Sequence, residues 1–424
     1  MNHFHDPSEY IRGIQQILTS DKKKIGFLFG AGTSLAKLSE SSLTVPAVFQ
    51  LTTEIIAELK ADRTEGKNYT KVLDDLKAEL GTDKFLVEQI LSILEQKQRV
   101  IGSGTLNGMN STALLGLISE FKSKIKNKVS VHQGLSPGVQ QHMVQTEFAE
   151  WVGRVSRKHP IEIFTTNYDY LFEIGLEHHA IPYFTGFAGS FRPFFCSENV
   201  RDLSFLPSQT KLWKLHGSLG WFHDEETGRV IRRESDKDDI LIYPSTLKYN
   251  DSQKQPYTSL LDRLCDFLKQ DDSILFTCGY SFSDDHINEK ILAALKTQTT
   301  SHLVGLVYDR RSDGSHWLTA ESPLAKMARA NGKIAIYGQR AAVIGCHYGK
   351  WRLRRESTRE ETLALNQYFD EDAPFKEIDL NYKEEPGNLG WSGEGVLKLG
   401  DFRWLVQFLK SMSVQTPLGV SCPC

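Results

Sequence analysis

Short, almost uninterrupted apolar runs recur along this chain and constrain its fold more than any other feature. IGFLF at 25–29 is the first. IEIFTT (161–166), KLWKLH (211–216), DILIYP (239–244), SILFTCG (273–279), HLVGLVYD (302–309) and KIAIYG (333–338) follow. Strands that are apolar throughout, rather than alternating, belong to parallel sheets with helices on both faces. Helical segments separate several of these runs, including 255–269 and 285–297. A further amphipathic helix at 8–20 sets Ile11, Ile14 and Leu18 on one face.

Between the first two runs lies a block of another character. From about 47 to 158 the apolar residues repeat every three or four positions, in LTTEIIAEL, KVLDDLKAEL, FLVEQILSILEQ, ALLGLISEFKSKI and FAEWVGRV. Joints rich in Gly and Asn, such as GSGTLNGMNST, separate them. The reading is an α/β domain over 1–345 that carries a large helical insertion after its first strand. Residues 346–424 form a C-terminal extension available for oligomer or partner contacts. The extension opens near WRLRRESTREE, a charge block read as a solvated helix face.

Charge and composition exclude some functions. With 50 basic and 53 acidic residues the net charge is −3, which makes no global electrostatic case for nucleic acid. MNHFHDPSEY lacks a basic segment followed by an apolar core, and no apolar run has the length to span a bilayer. The six cysteines are scattered without C-x-x-C pairs. The expectation is a cytoplasmic protein with reduced thiols, in which the Cys422-Pro-Cys424 pair belongs to a functionless tail.

Four stretches carry chemistry, each where a predicted strand ends. The first is Gly30-Ala31-Gly32-Thr33-Ser34 after IGFLF. A strand, a Gly-x-Gly turn and then a helix suit a dinucleotide diphosphate, with free N–H groups at the helix start. The third glycine of G-x-G-x-x-G is absent, because position 35 is Leu, and no G-K-[ST] follows. A side chain at Gly32 should block ligand approach while leaving the fold intact. Thr165-Thr166-Asn167-Tyr168-Asp169 is the second stretch; a helix cap before YLFEIGL explains one of its polar residues but not four. Leu215-His216-Gly217-Ser218 is the third, and Gly279-Tyr280-Ser281-Phe282-Ser283-Asp284-Asp285-His286 the fourth.

In this order and setting, GAGTS, TTNYD, HGS and GYSFSDDH resemble the sirtuin-like superfamily. The resemblance covers about residues 20–310 and is to the zinc-free prokaryotic branch that destroys NAD+. It implies a Rossmann-like, mostly parallel sheet with NAD+ as substrate. Asn167 would be the asparagine beside the nicotinamide ribose and His216 the catalytic histidine. Gly30, Ala31, Gly32, Thr33, Ser34, Thr166, Asp169, Gly217, Gly279, Ser281 and Asp284 would contact the dinucleotide. Two departures argue against peptide deacylation. The paired C-x-x-C motifs of a zinc module are missing, so no zinc is expected. The I-P-D-F-R segment survives only as Thr44-Val45-Pro46-Ala47.

The expected activity is hydrolysis of the nicotinamide–ribose bond. Nicotinamide leaves as an already cationic group, so the site needs to orient the ribose, place a water and accept its proton. A histidine suits the last task and a carboxamide the first; Asp169 is read as support or helix cap. The resemblance further implies an effector of a bacterial anti-phage system, a homo-oligomer, and a HerA-type ATPase as partner. Two other readings stand beside it. One is a non-catalytic subunit that senses NAD+ or ADP-ribose. The other is a serine hydrolase using Ser281 with Asp309 and His347 in the order Ser…Asp…His.

Overall fold

The computed structural model describes residues 3–40, 42–62, 68–224, 226–233, 240–242, 255–356, 365–372 and 392–413. The Cys422–Cys424 pair and residues 357–361 of the charge block lie outside them. Ten strands form one sheet: β1 (His3–His5), β2 (Lys24–Phe29), β3 (Glu162–Thr165), β4 (Tyr183–Phe184), β5 (Thr210–Lys214), β6 (Ser273–Cys278), β7 (His302–Leu306), β8 (Ile334–Tyr337), β9 (Ala341–Ile344) and β10 (His347–Trp351). Their order across the sheet is β1-β10-β9-β8-β7-β6-β2-β3-β5-β4. Every neighbouring pair is parallel except β8–β9 and β9–β10. The sheet is therefore mostly parallel and flanked by helices, as the apolar runs predict.

Connectivity singles out one place in this sheet. From β2 the chain moves to β3, β4 and β5 on one side, then returns to lay β6 against the other side of β2. The β2–β6 boundary is thus a topological switch point, where the carboxyl ends of the strands open a crevice. GAGTS, TTNYD, HGS and GYSFSDDH follow β2, β3, β5 and β6, four adjacent strands, so all four stretches reach the same edge.

The helices are α1 (Pro7–Thr19), α2 (Val48–Ala61), α3 (Thr70–Leu80), α4 (Val87–Val100), α5 (Ser111–Val129), α6 (Val144–Arg154), α7 (Leu171–His178), α8 (Tyr257–Leu268), α9 (Asp285–Thr297), α10 (Pro323–Arg329) and α11 (Phe402–Ser413), apart from shorter ones. Alternation along β2 sends Ile25, Phe27 and Phe29 to a core shared with α1, α6, α7 and α11. Leu28 faces the opposite core, built with α8, α9 and α10. The insertion has a third core of its own, formed by residues of α2, α3, α4 and α5. That core also takes in Tyr168, Leu171 and Ile174, which binds the insertion to the segment after β3.

Several expectations change. The strand β1 precedes the run taken as first, so the insertion follows the second strand. The segment at 240–242 lies outside the main sheet and pairs antiparallel with Gly217–Leu219. A separate four-stranded sheet holds Phe187–Ala188, Phe194–Phe195, Trp221–Asp224 and Arg229–Arg232. The boundary drawn at 345/346 falls in the turn between the paired strands β9 and β10. Beyond it, Phe402, Leu405, Val406, Phe408 and Leu409 of α11 belong to the same core as β2. No helix among the described residues is long and apolar enough to cross a membrane.

Candidate functional site

The four stretches enclose a cleft of about 750 Å³ at the switch point. Gly30, Ala31, Gly32, Ser34, Thr166, Asn167, Asp169, His216, Gly279, Ser281 and Asp284 line it; Thr33 and Gly217 are not among its lining residues. One wall comes from the insertion and the segment leading into it, with Val45 to Phe49, Leu86 and Glu88.

The glycine turn is built differently from expectation. Ala31–Leu35 is a single 3-10 turn rather than the start of an α-helix. Gly30 N–H donates to Cys278 O, Gly32 N–H to Gly279 O and Thr33 N–H to Gly30 O, at 3.2, 3.0 and 2.9 Å. The first two tie the turn after β2 to the end of β6 and the turn that follows it, and the third closes the first turn on itself. The glycines are needed for that contact: a β-carbon on Gly30 would stand 2.5 Å from Gly279 O, and one on Gly32 2.7 Å from Gly279 Cα. Gly279 itself has φ of +63°, the left-handed region that favours glycine.

Asn167 sits at the centre of a buried relay. Its amide Nδ2 donates to Thr33 Oγ1 at 3.1 Å and to Ser34 Oγ at 2.8 Å. Both hydroxyls have committed their own protons, Thr33 to Gly30 O and Ser34 to Asp169 Oδ2. They can therefore only accept from Asn167, which fixes the orientation of the carboxamide. The result leaves Asn167 Oδ1 buried with no hydrogen-bond partner, on a residue that lines the cleft. A buried carbonyl oxygen without a donor is costly unless a ligand supplies one.

Asp169 anchors the other end of this relay. Oδ1 accepts from Leu171 N–H at the start of α7, and Oδ2 from Ser34. Burial pushes its carboxyl up, opposed by the charge of Lys214. Lys214 Nζ, itself buried, pairs with Glu173 at 2.9 Å and donates to the carbonyls of Tyr168 and Asp169. It holds the segment after β3 in place from beneath. A lysine inside the apolar run KLWKLH is a readable signal for such a role.

His216 lies between two carboxylates. Its Nε2 is 2.8 Å from Asp284 Oδ2 and its Nδ1 is 3.2 Å from Glu88 Oε1. Asp284 caps α9, its Oδ1 accepting from the N–H groups of His286 and Ile287. Glu88 stands in the first turn of α4, where it also accepts from Tyr168 O–H at 2.6 Å. Burial and Glu88 push the Tyr168 hydroxyl far up, which keeps it a donor. An imidazole facing a carboxylate at each nitrogen donates to one of them when neutral and to both when protonated. Sequence reasoning missed Glu88, since nothing in FLVEQIL separates it from a solvated helix face.

The hydrolase arrangement of Ser281, Asp309 and His347 is not assembled. Ser281 Oγ meets Ser283 Oγ in the cleft. Asp309 accepts from Gln339 N–H beyond β7. His347 begins β10, its ring tilted against that of His3 in a different depression. Among the described residues no group of three or more His, Cys, Asp or Glu is placed to hold a metal ion.

Residues 161–329 match the family described as a SIR2-like domain. The match runs from β3 through α10 and so includes Asn167, His216 and the segment from Gly279 to Asp284. It includes neither the glycine turn nor Glu88. No curated protein matches the chain.

Proposed function

We propose that this chain is an NAD+ hydrolase that cleaves the nicotinamide–ribose bond to give nicotinamide and ADP-ribose. A SIR2-like domain implies NAD+ binding and processing in general; the hydrolytic outcome is our reading of the site. One observation carries it: the unpartnered Asn167 Oδ1 and the His216 ring held between Glu88 and Asp284 share one cleft at the switch point. The carbonyl is suited to a ribose hydroxyl, which it would orient for reaction. Two carboxylates around a single imidazole suit a cationic nicotinamide and an anomeric carbon that turns positive. The strand-end turns at Gly30–Ser34 and Gly279–Ser281 would take the rest of the dinucleotide.

The wider setting belongs to the same proposal. An NAD+ hydrolase active at all times would drain its own cell, which favours a homo-oligomer restrained by a partner, a HerA-type ATPase, in anti-phage defence. The experiment that tests the activity is incubation of the full chain with NAD+, followed by chromatography for nicotinamide and ADP-ribose. An acetyl-lysine peptide serves as a parallel substrate. Asn167→Ala and His216→Ala should each lose on the order of 10²-fold in turnover, since both hold reacting groups in position. Binding of NAD+ without release of nicotinamide would mark a sensor instead, and efficient deacetylation of the peptide would overturn the hydrolase assignment.

A further inference from the structure

A second hollow lies apart from the cleft, against the separate four-stranded sheet. Its volume is about 1440 Å³, nearly twice that of the cleft, and the two share no lining residue. They meet the same short segment after β3: Tyr168 and Asp169 line the cleft, and Tyr170 lines the hollow. Among the described residues, Arg192, Arg232 and Arg233 line it against two carboxylates, Asp224 and Glu226. Asp224 is committed to its own hairpin turn, where Oδ1 accepts from Glu226 N–H and Oδ2 from Thr227 O–H. The balance favours an anion.

Arg232 narrows the choice of anion. Its backbone N–H donates to Pro193 O at 2.8 Å, which sets it beside the loop that carries Arg192. The residue is half-buried, yet among the described residues its guanidinium makes neither a hydrogen bond nor an ion pair. Glu173 and Glu177 reach it through charge alone. Both are engaged elsewhere, Glu173 with Lys214 and Glu177 with Tyr183 O–H. A guanidinium drawn away from water with five donors and no acceptor calls for one from outside the chain. Phosphate fits, since two of its oxygens match the guanidinium fork.

Aromatic rings stand beside these charges. Phe191 lines the hollow with 92% of its surface exposed. The Arg233 guanidinium carbon lies 3.7 Å from the centre of the Phe222 ring. An open ring and a guanidinium stacked on a ring both offer faces on which a nucleobase stacks. Phosphate-binding and base-stacking groups are gathered in one hollow, not strung along a groove, which suits a single nucleotide.

We propose that this hollow is a second ligand site, which takes a nucleoside phosphate with its phosphates on Arg232 and Arg192 and its base against Phe191. The site does not rest on the hydrolase reading, since no residue of the cleft takes part in it.

The test titrates the full chain by calorimetry with ATP and with GTP, and with adenosine as the probe that lacks phosphate. At least one nucleotide should bind with a Kd below about 1 mM, and adenosine at least about tenfold more weakly. Arg232→Ala should weaken nucleotide binding about tenfold or more, because hydrogen bonds to a charged group are lost. Arg192→Ala removes an exposed side chain and should weaken binding about threefold or more; it carries the test if Arg232→Ala fails to fold. Phe191→Ala should weaken it about fivefold or more. Asn167→Ala, in the cleft, should leave nucleotide affinity within about threefold. Failure of both nucleotides to bind at about 1 mM would overturn the proposal. So would adenosine binding as tightly as ATP, or unchanged affinity in the folded arginine variants. Loss of affinity in Asn167→Ala would place the nucleotide in the cleft and overturn it as well. A deoxythymidine decamer that binds where both mononucleotides fail would mark a nucleic-acid surface instead. A chain that releases no nicotinamide leaves these titrations unaffected, so the two readings fail separately.

Discussion

Asn167 shows how a single side chain can be oriented by protons that sit elsewhere. Its amide points to Thr33 and Ser34 because both hydroxyls already donate, to Gly30 O and to Asp169. Changing Asp169 to Asn puts an amide group against Ser34 and turns that hydroxyl proton back toward Asn167. The relay can then be satisfied only by flipping the Asn167 carboxamide, which presents donors to the cleft and opposes Thr33. Asp169→Asn should remain folded, since the Leu171 N–H can still be accepted. Nicotinamide release should fall by roughly 10-fold or more, as misorientation at a reacting centre is costly. Unchanged turnover, with a thermal midpoint near that of the unmodified chain, would contradict this account of the relay.

At the scale of elements, the two strand-end turns act as one unit. The glycines of the first turn make room for the backbone of Gly279, so the expectation that a side chain at Gly32 would spare the fold is corrected. Gly32→Ala should destabilise the chain by about 1–3 kcal/mol, the usual cost of forcing atoms into a packed region. NAD+ affinity should fall with it, because the cleft wall moves. Gly13 in α1 offers the control: a β-carbon there meets nothing within 4 Å. Gly13→Ala should stabilise by about 0.5–1 kcal/mol through helix propensity. Denaturant midpoints and calorimetric titration measure both. Full stability in Gly32→Ala with loss of NAD+ binding alone would return the turn to a space reserved for ligand.

For the whole molecule, the C-terminal helix shares a core with the sheet, and the core of the insertion takes in residues that follow β3. The α11 ring of Phe402 lies 5.1 Å from Phe29 and 6.0 Å from Phe172, directly beneath the glycine turn and the segment after β3. Removing it leaves a cavity below the site, so Phe402→Ala should cost about 3–5 kcal/mol. A chain cut before α11 should lose cooperative unfolding, because that core cannot close without it. An independent C-terminal extension would instead leave the unfolding midpoint unchanged in both variants.

What the sequence by itself determined was local. Apolar runs along β2, β3, β5, β6, β7 and β8 announced a parallel sheet, since strands buried on both faces cannot tolerate alternation. Polar clusters at the ends of four of them marked the reactive edge, because ligands gather at carboxyl ends of parallel strands. The tertiary structure decided what depends on pairing across long separations. Only the return of the chain to β6 brings Gly279 against Gly32, and turns two permissive residues into an obligatory contact. Only the folding of the insertion brings Glu88 to His216, 128 residues away. A carboxylate in a helical turn carries no mark of the partner it will meet, so its neighbour, and with it the protonation of the histidine, is a property of the packed molecule alone.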